Sequence, residues 1–167
     1  MKRFRSIIAI AMMILLLTGC GGKTGTEASA GDPSKEAPNL AAWMEETIKS
    51  LGDDAPAVEA LDSETVSMFY PGLENYNTKQ CEIRIAAISA VAFEFALIEA
   101  ETPEDAKAIG AILQERINTQ IEAGAFYPAT VEAWEKAETV ITGNIAALIC
   151  ANDHQDEAMA SFMELVG

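Results

Sequence analysis

Positive charge is scarce in this sequence. Eleven lysines and arginines stand against 26 aspartates and glutamates, and the formal net charge at pH 7 is −15. Binding to nucleic acid requires a cationic surface that neutralises phosphates, so this composition excludes a nucleic-acid partner. The same sign of charge repels anionic lipid head groups, so attachment to a membrane would have to come from something other than the charge of the protein.

Residues and motifs typical of catalysis are also scarce. His154 is the single histidine, and neither a G-x-S-x-G nucleophile turn nor a glycine-rich phosphate loop occurs. The acids around His154 could bind a cation, but their spacing fits neither an EF-hand nor a zinc motif and is typical of a helix N-terminus. We therefore predict a protein that is not an enzyme and that has no cofactor and no metal.

Neighbouring acids leave one catalytic alternative open. Paired carboxylates can act as acid and base in a hydrolase. With 26 acids in the chain, such pairs also arise by chance on a solvated surface, and we rank a hydrolase last among the hypotheses. The pairs are Glu45-Glu46, Asp53-Asp54 and Glu104-Asp105.

Long hydrophobic runs are missing as well. The run from Ile7 to Leu17 has 11 residues and follows Lys2, Arg3 and Arg5. A helix that spans a bilayer needs about 20 apolar residues. A basic start before a short apolar run is typical of a secretory signal peptide, which we predict for residues 1–19.

Cysteine is rare, and one of the three cysteines follows this run directly. The sequence Leu-Thr-Gly-Cys at 17–20 resembles the lipobox of bacterial lipoproteins. The resemblance implies that cleavage precedes Cys20 and that its thiol carries a diacylglyceryl group, whose two acyl chains suffice for stable anchoring. We therefore predict a lipid-anchored protein on the extracytoplasmic face of the cell membrane. The alternative is an ordinary secretory signal in which the cysteine occurs by chance.

The other two cysteines leave several interpretations open. Cys81 and Cys150 both lie in apolar runs typical of strands. Buried free thiols behave as small hydrophobic groups, whereas an exported protein could also pair them in a disulfide. A catalytic role is a third alternative, but no histidine lies near either residue in the sequence.

Composition changes sharply at residue 39. Residues 20–38 hold small and polar residues after Cys20 and no large apolar side chain, which is typical of a flexible tether. Residues 39–167 form a stretch of ordinary length for one domain. We predict a single domain there.

Hydrophobic periodicity within 39–167 indicates an α+β domain. Helical spacing alternates with period-two segments, and the order α-β-β-α-α-β-β-α predicts an antiparallel sheet of about four strands with helices on one face. Residues 53–79 read as irregular, apart from a short helical turn that starts at 62–65. The predicted helices start at Asn39, Thr102, Thr130 and at Asn152 or Asp153, and the predicted strands span 80–89, 91–101, 139–142 and 145–151, the last two joined by a Gly143-Asn144 turn.

Three sequence stretches resemble a known family. They are FEFALIEAETPEDA at 93–106, AKAIGAILQERINTQIE at 106–122 and YPATVEAWEKAETVITGNIAALICAND at 127–153. Together with the lipobox, they are similar to the bacterial lipoproteins known as domain of unknown function 4358. The resemblance covers roughly 40–167, and it implies the fold and the location but no catalytic residue.

Two Phe-Tyr-Pro corners are candidate binding residues. They comprise Phe69 and Tyr70 before Pro71, and Phe126 and Tyr127 before Pro128. Aromatic side chains with a polar tip suit recognition surfaces, although such residues also plug the ends of a core. The first hypothesis is an interaction or sensing domain whose partner is another envelope protein or a peptide. The alternative is a small-ligand or cation-binding lipoprotein, which a pocket of a few hundred cubic ångströms with convergent polar groups would favour.

Overall fold

The computed structural model describes residues 37–167. The predicted signal peptide 1–19, Cys20 and most of the tether 20–38 lie outside the described residues. Within 37–167, no helix has the length and apolar character needed to cross a membrane.

Within residues 37–167, five antiparallel strands form one open sheet and five α-helices cover it, so the predicted α+β class is confirmed. The strand order is β1-β2-β3-β5-β4. The strands are β1 (Val58–Ala60), β2 (Thr78–Ala86), β3 (Phe93–Ala100), β4 (Glu138–Thr142) and β5 (Ile145–Ala151). The helices are α1 (Leu40–Ser50), α2 (Ser63–Phe69), α3 (Pro103–Thr119), α4 (Pro128–Lys136) and α5 (Gln155–Val166).

One strand lies in the segment that reads as irregular in the sequence. β1 pairs with β2 over three residues, from Val58 opposite Ala86 to Ala60 opposite Arg84. A strand this short carries too few residues for a period of two to be recognised. The sheet therefore has five strands, one more than the predicted number of about four.

The prediction that helices cover one face of the sheet is wrong. Helices α2, α3 and α4 pack on one face, and α1 and α5 pack on the other. The central strands β3 and β5 are therefore buried along their whole length. In β3, the positions that alternate with Phe93, Phe95 and Leu97 include the acid Glu94 and the small residue Ala96, a pattern that is also typical of a strand with one solvent-exposed face.

Local capping signals place three helices correctly. Asn39 Oδ1 accepts a hydrogen bond from Ala42 N at 2.9 Å at the start of α1. Asp62 caps α2. Thr102 Oγ1 accepts from the backbone N–H at position 105 at 3.1 Å, and α3 begins at the next residue, a proline. Each signal acts within four residues, so it can be recognised without knowledge of the fold.

Two predicted caps are wrong. Helix α4 starts at Pro128, and the Thr130 hydroxyl instead donates to the Tyr127 carbonyl at 2.7 Å. Helix α5 starts at Gln155, after a short 3₁₀ turn, and neither Asn152 nor Asp153 caps it. Gln155 anchors this helix to the end of β5 through hydrogen bonds to two backbone groups of that strand.

The connection between β2 and β3 is longer than predicted. The sequence pattern leaves one residue between the two strands, whereas the structure has a loop over 87–92. By contrast, the predicted turn between β4 and β5 is confirmed, and Gly143 adopts the positive φ of 56° that such a turn needs. The 87–92 loop forms one wall of a cleft.

Both described cysteines are free thiols. Cys150 is buried in β5, and its thiol donates to the Ala92 carbonyl at 3.6 Å. Cys81 is exposed on β2, so the interpretation as a buried free thiol is wrong for this residue. The disulfide interpretation does not describe this structure.

Candidate functional site

A buried ion pair joins the sheet to α3. Arg116 Nε donates to Glu94 Oε1 at 2.9 Å, and Arg116 Nη2 donates to Glu94 Oε2 at 2.8 Å. The side chain of Glu94 is 2% exposed and that of Arg116 is 10% exposed. The two parallel hydrogen bonds fix the plane of the guanidinium as well as its position.

Tyr70 completes this arrangement from the end of α2. Its hydroxyl donates to Glu94 Oε1, and its side chain is fully buried. Burial, and then the negative charge of Glu94, raise the pKa of Tyr70 well above its usual value. Burial opposes the charge on Arg116, but the hydrogen bonds and the charge of Glu94 outweigh it and raise the Arg116 pKa.

Aromatic rings surround the guanidinium. The Arg116 Cζ atom lies 4.4 Å from the ring centroid of Phe69, 5.8 Å from that of Trp134 and 6.0 Å from that of Tyr70. Cations are attracted to the faces of such rings, and contacts of this kind are stronger where water is excluded. The Arg116 side chain is therefore held from several directions.

A buried ion pair is an inefficient way to stabilise a core. Removing two charges from water costs several kcal/mol per ion, and apolar residues of similar size are often equally stable. Charged groups that are retained in a cleft are for this reason candidates for a functional site. The Glu94–Arg116 pair meets that description because it borders an open cleft.

The cleft beside this pair, which we call the Arg116 cleft, has a volume of about 340 Å³. Its walls are the 87–92 loop, the turn of Gln120–Gly124 that ends α3, and the first part of α4. Glu94, Arg116 and Trp134 line its interior, and Glu59 of β1 lines an exposed part. A cleft of this size with a few converging polar groups matches small-molecule sites.

A second, more apolar groove adjoins the Arg116 cleft. It lies between α2 and α3 and has a volume of about 460 Å³. Phe69 and Arg116 line both spaces, so the guanidinium stands between them. The other side chains around the groove include Met68, Pro71, Ile112 and Glu115.

The structure separates the residues of the two Phe-Tyr-Pro corners. Phe69 lines the Arg116 cleft, whereas Tyr70 is buried and cannot contact a partner directly. Phe126 and Tyr127 are 87% and 53% exposed, and their rings meet edge to face with centroids 5.5 Å apart. They follow Ala125, which also lines the cleft. Three of the four predicted binding residues therefore lie in or beside this region.

The sequence patterns do not single out Glu94 or Arg116. Two weak signals are present. Glu94 is one of two acids in a strand whose other residues are apolar, and Arg116 lies three residues after the buried Leu113, on the edge of the apolar stripe of α3. A charge in each of two buried elements indicates a pair only once the elements are known to pack together.

A second buried carboxylate, Glu99, has a structural role. It accepts hydrogen bonds from Gln80 Nε2 at 2.6 Å and from Asn144 Nδ2 at 3.1 Å, and Lys79 Nζ lies 3.7 Å away. Gln80 Oε1 also accepts from Leu40 N, so this network fixes the start of α1 against β2. Among residues 37–167, no three His, Cys, Asp or Glu side chains group as a metal site.

No family model, curated protein or solved structure matches this chain. The family resemblance of the sequence stays a prediction.

Proposed function

We propose that this chain is a lipid-anchored, extracytoplasmic binding domain that takes a small organic ligand in the Arg116 cleft. The observation that supports the proposal is a cleft of about 340 Å³ beside a guanidinium held by two hydrogen bonds and by aromatic rings. A fixed donor in a partly apolar cleft lowers the cost of ordering the site when a ligand binds.

The same groups favour binding over catalysis. General acid–base catalysis works best when the pKa of the catalytic group lies near the working pH. The raised pKa values of Arg116 and Tyr70 keep both groups protonated at neutral pH. Neither group is therefore suited to exchange a proton with a substrate.

Cys20 and the tether supply the location in this proposal. Diacylated Cys20 would hold the protein to the bilayer, and the tether would set the distance of the folded part from the surface. A flexible tether of the length predicted for residues 21–38 would have a mean reach of roughly 20–25 Å. The cleft would then sample solutes just outside the membrane.

A specific observation favours a second candidate function, the binding of an envelope protein or peptide. Phe126, Tyr127 and Ile88 are large side chains that are more than half exposed, and Ile88 itself lines the cleft. Exposed aromatic residues are enriched in protein interfaces. A partner that covers these side chains would also cover the opening of the cleft.

A fragment screen by thermal shift, on the mature lipoprotein in detergent, tests the ligand proposal. The Ala87→Trp variant fills the cleft from an exposed loop position, and Ala90→Trp in the same loop is the matched control because position 90 does not line the cleft. At tenfold excess over Kd, a ligand should raise Tm by about 5 °C. We expect this shift in the unmodified protein and in Ala90→Trp, and its loss in Ala87→Trp. Shifts of equal size in all three, or no active fragment, would contradict the proposal.

A further inference from the structure

The charge of Arg116 is already compensated within the protein. Glu94 occupies its Nε and Nη2 donors, while no hydrogen bond joins Nη1 to any of residues 37–167. Nη1 is also not among the buried side-chain atoms that lack a partner. Nη1 is therefore accessible where Arg116 lines the cleft and the adjoining groove, and it offers N–H donors without a net positive charge, which suits an uncharged acceptor such as an amide carbonyl.

The remaining charge of the cleft is negative. Glu59 lines an exposed part of the cleft, and its carboxylate forms no ion pair with residues 37–167. The other charged groups that line the cleft are Glu94 and Arg116, which cancel each other, so the sum over the three is −1. The chain as a whole is strongly acidic, which reinforces a negative potential at the opening.

Part of the cleft lining is apolar and aromatic. Phe69 and Trp134 contribute rings, and Ile85 contributes an aliphatic side chain. An apolar group that enters this space gains from the removal of its surface from water. The ligand therefore needs an apolar body in addition to its polar groups.

From these features, and on the basis of the proposed function, we infer that the Arg116 cleft binds an amine-bearing amide with an apolar body, such as the amino-terminal residue of an apolar peptide. The amide carbonyl accepts a hydrogen bond from Arg116 Nη1. The apolar side chain packs against the aromatic lining, and the ammonium group is attracted by Glu59. A free carboxylate is disfavoured because Arg116 has no uncompensated charge to offer it.

Three probes with the same apolar side chain test this inference. Leucine amide is a cation, N-acetyl-leucine amide is neutral, and N-acetyl-leucine is an anion. We expect Kd to increase in that order, with about a tenfold difference between the first and the last at low salt. Calorimetric titration of the mature lipoprotein in detergent gives the three values, and the difference should shrink as salt screens the charges.

Two variants test whether the preference for the cationic probe, leucine amide, arises in the Arg116 cleft. Glu59→Gln should reduce the advantage of leucine amide over N-acetyl-leucine amide by at least half. Glu138→Gln removes an exposed acid from β4, which does not line the cleft, and should leave that advantage unchanged.

The outcomes separate the inference from the proposed function. If N-acetyl-leucine binds as tightly as leucine amide, or if none of the three probes binds while other fragments do, the inference is overturned and the cleft remains a ligand site. If no fragment of any chemistry binds in the thermal-shift screen, the proposed function itself fails.

Discussion

Glu94 of β3 and Arg116 of α3, which are 22 residues apart in the chain, meet inside the protein through two hydrogen bonds of 2.9 and 2.8 Å. This pair links the central strand of the sheet to its longest helix. It also fixes the position of a guanidinium that lines the cleft. Stability and the proposed binding function therefore involve the same two side chains, and the variants below separate these contributions.

Replacing Arg116 by alanine should destabilise the protein strongly. The change leaves Glu94 buried without its charged partner, which costs about 3–5 kcal/mol. The matched control is Arg84→Ala, because Arg84 pairs with Glu82 at 3.6 Å where both side chains are partly exposed. Such a pair contributes about 1 kcal/mol or less. Urea unfolding measures both values, and equal losses would contradict the assignment of a buried pair.

A triple variant tests the stability of the protein and ligand binding in the Arg116 cleft separately. Glu94→Leu and Arg116→Met together replace the ion pair by apolar groups, and Tyr70→Phe removes the hydroxyl that would otherwise lose its acceptor. Replacing a buried ion pair in this way is often neutral or stabilising. We expect a Tm close to that of the unmodified protein but no response to ligands. Retained binding would show that the ion pair has no part in the site.

The Tyr70 hydroxyl should contribute more to stability than an exposed hydroxyl. Tyr70→Phe removes a hydrogen bond to a buried carboxylate, and we expect a loss of about 1.5–3 kcal/mol. Tyr127→Phe is the control, since Tyr127 is exposed. Surface changes of this kind usually stay within about 0.5 kcal/mol. Urea midpoints that shift equally in the two variants would contradict the burial of Tyr70 against Glu94.

Cys150 should make the protein sensitive to alkaline pH. Burial raises the pKa of this thiol from 9.0 to about 12, so the folded protein keeps a proton that the unfolded chain releases. The stability that this proton contributes is fully present below pH 9 and is lost as the pH rises towards 12. The slope is at most about 1.4 kcal/mol per pH unit for one proton. The unfolding free energy of Cys150→Ala should fall less steeply above pH 9, and identical slopes would argue against a buried thiol.

Cys20→Ala should release the protein from the membrane fraction. Without the thiol there is no site for the diacylglyceryl group, and the short apolar segment 7–17 is below the length of a spanning helix. The other two cysteines belong to strands β2 and β5 of the folded domain, far along the chain from the predicted cleavage point. Fractionation of cells and mass spectrometry of the mature amino terminus provide the measurement. Unchanged membrane retention and processing of Cys20→Ala would refute lipid anchoring.

Local signals explain which parts of the fold can be predicted. The start of α3 follows from Thr102 and the adjacent proline, and the turn at 143–144 follows from the backbone freedom of glycine. Each depends on residues that are close in sequence. Several helix starts and the α+β class can be predicted from the sequence for this reason.

The features of the fold that could not be predicted depend on contacts between segments that are far apart in the sequence. Phe93, Phe95 and Leu97 mark one face of β3 as apolar, but whether the face of Glu94 and Ala96 is also covered depends on where α3 and α4 pack. The Arg116–Glu94 pair likewise requires α3 to cross the sheet at one position. The candidate site could therefore not be derived from periodicity, although the exposed corner at 126–127 indicated its surroundings.

The two tryptophans offer the most direct test of the claim that the Arg116 cleft binds a ligand. Trp134 lines the cleft, whereas Trp43 packs on the opposite face of the sheet, where its Nε1 donates to Ser161 Oγ at 2.9 Å. In a titration of ¹⁵N-labelled protein with leucine amide, followed by NMR, the indole N–H signal of Trp134 should shift in a saturable manner while that of Trp43 stays in place. A Trp134 signal that stays fixed at saturating ligand, or equal shifts of both signals, would contradict the account.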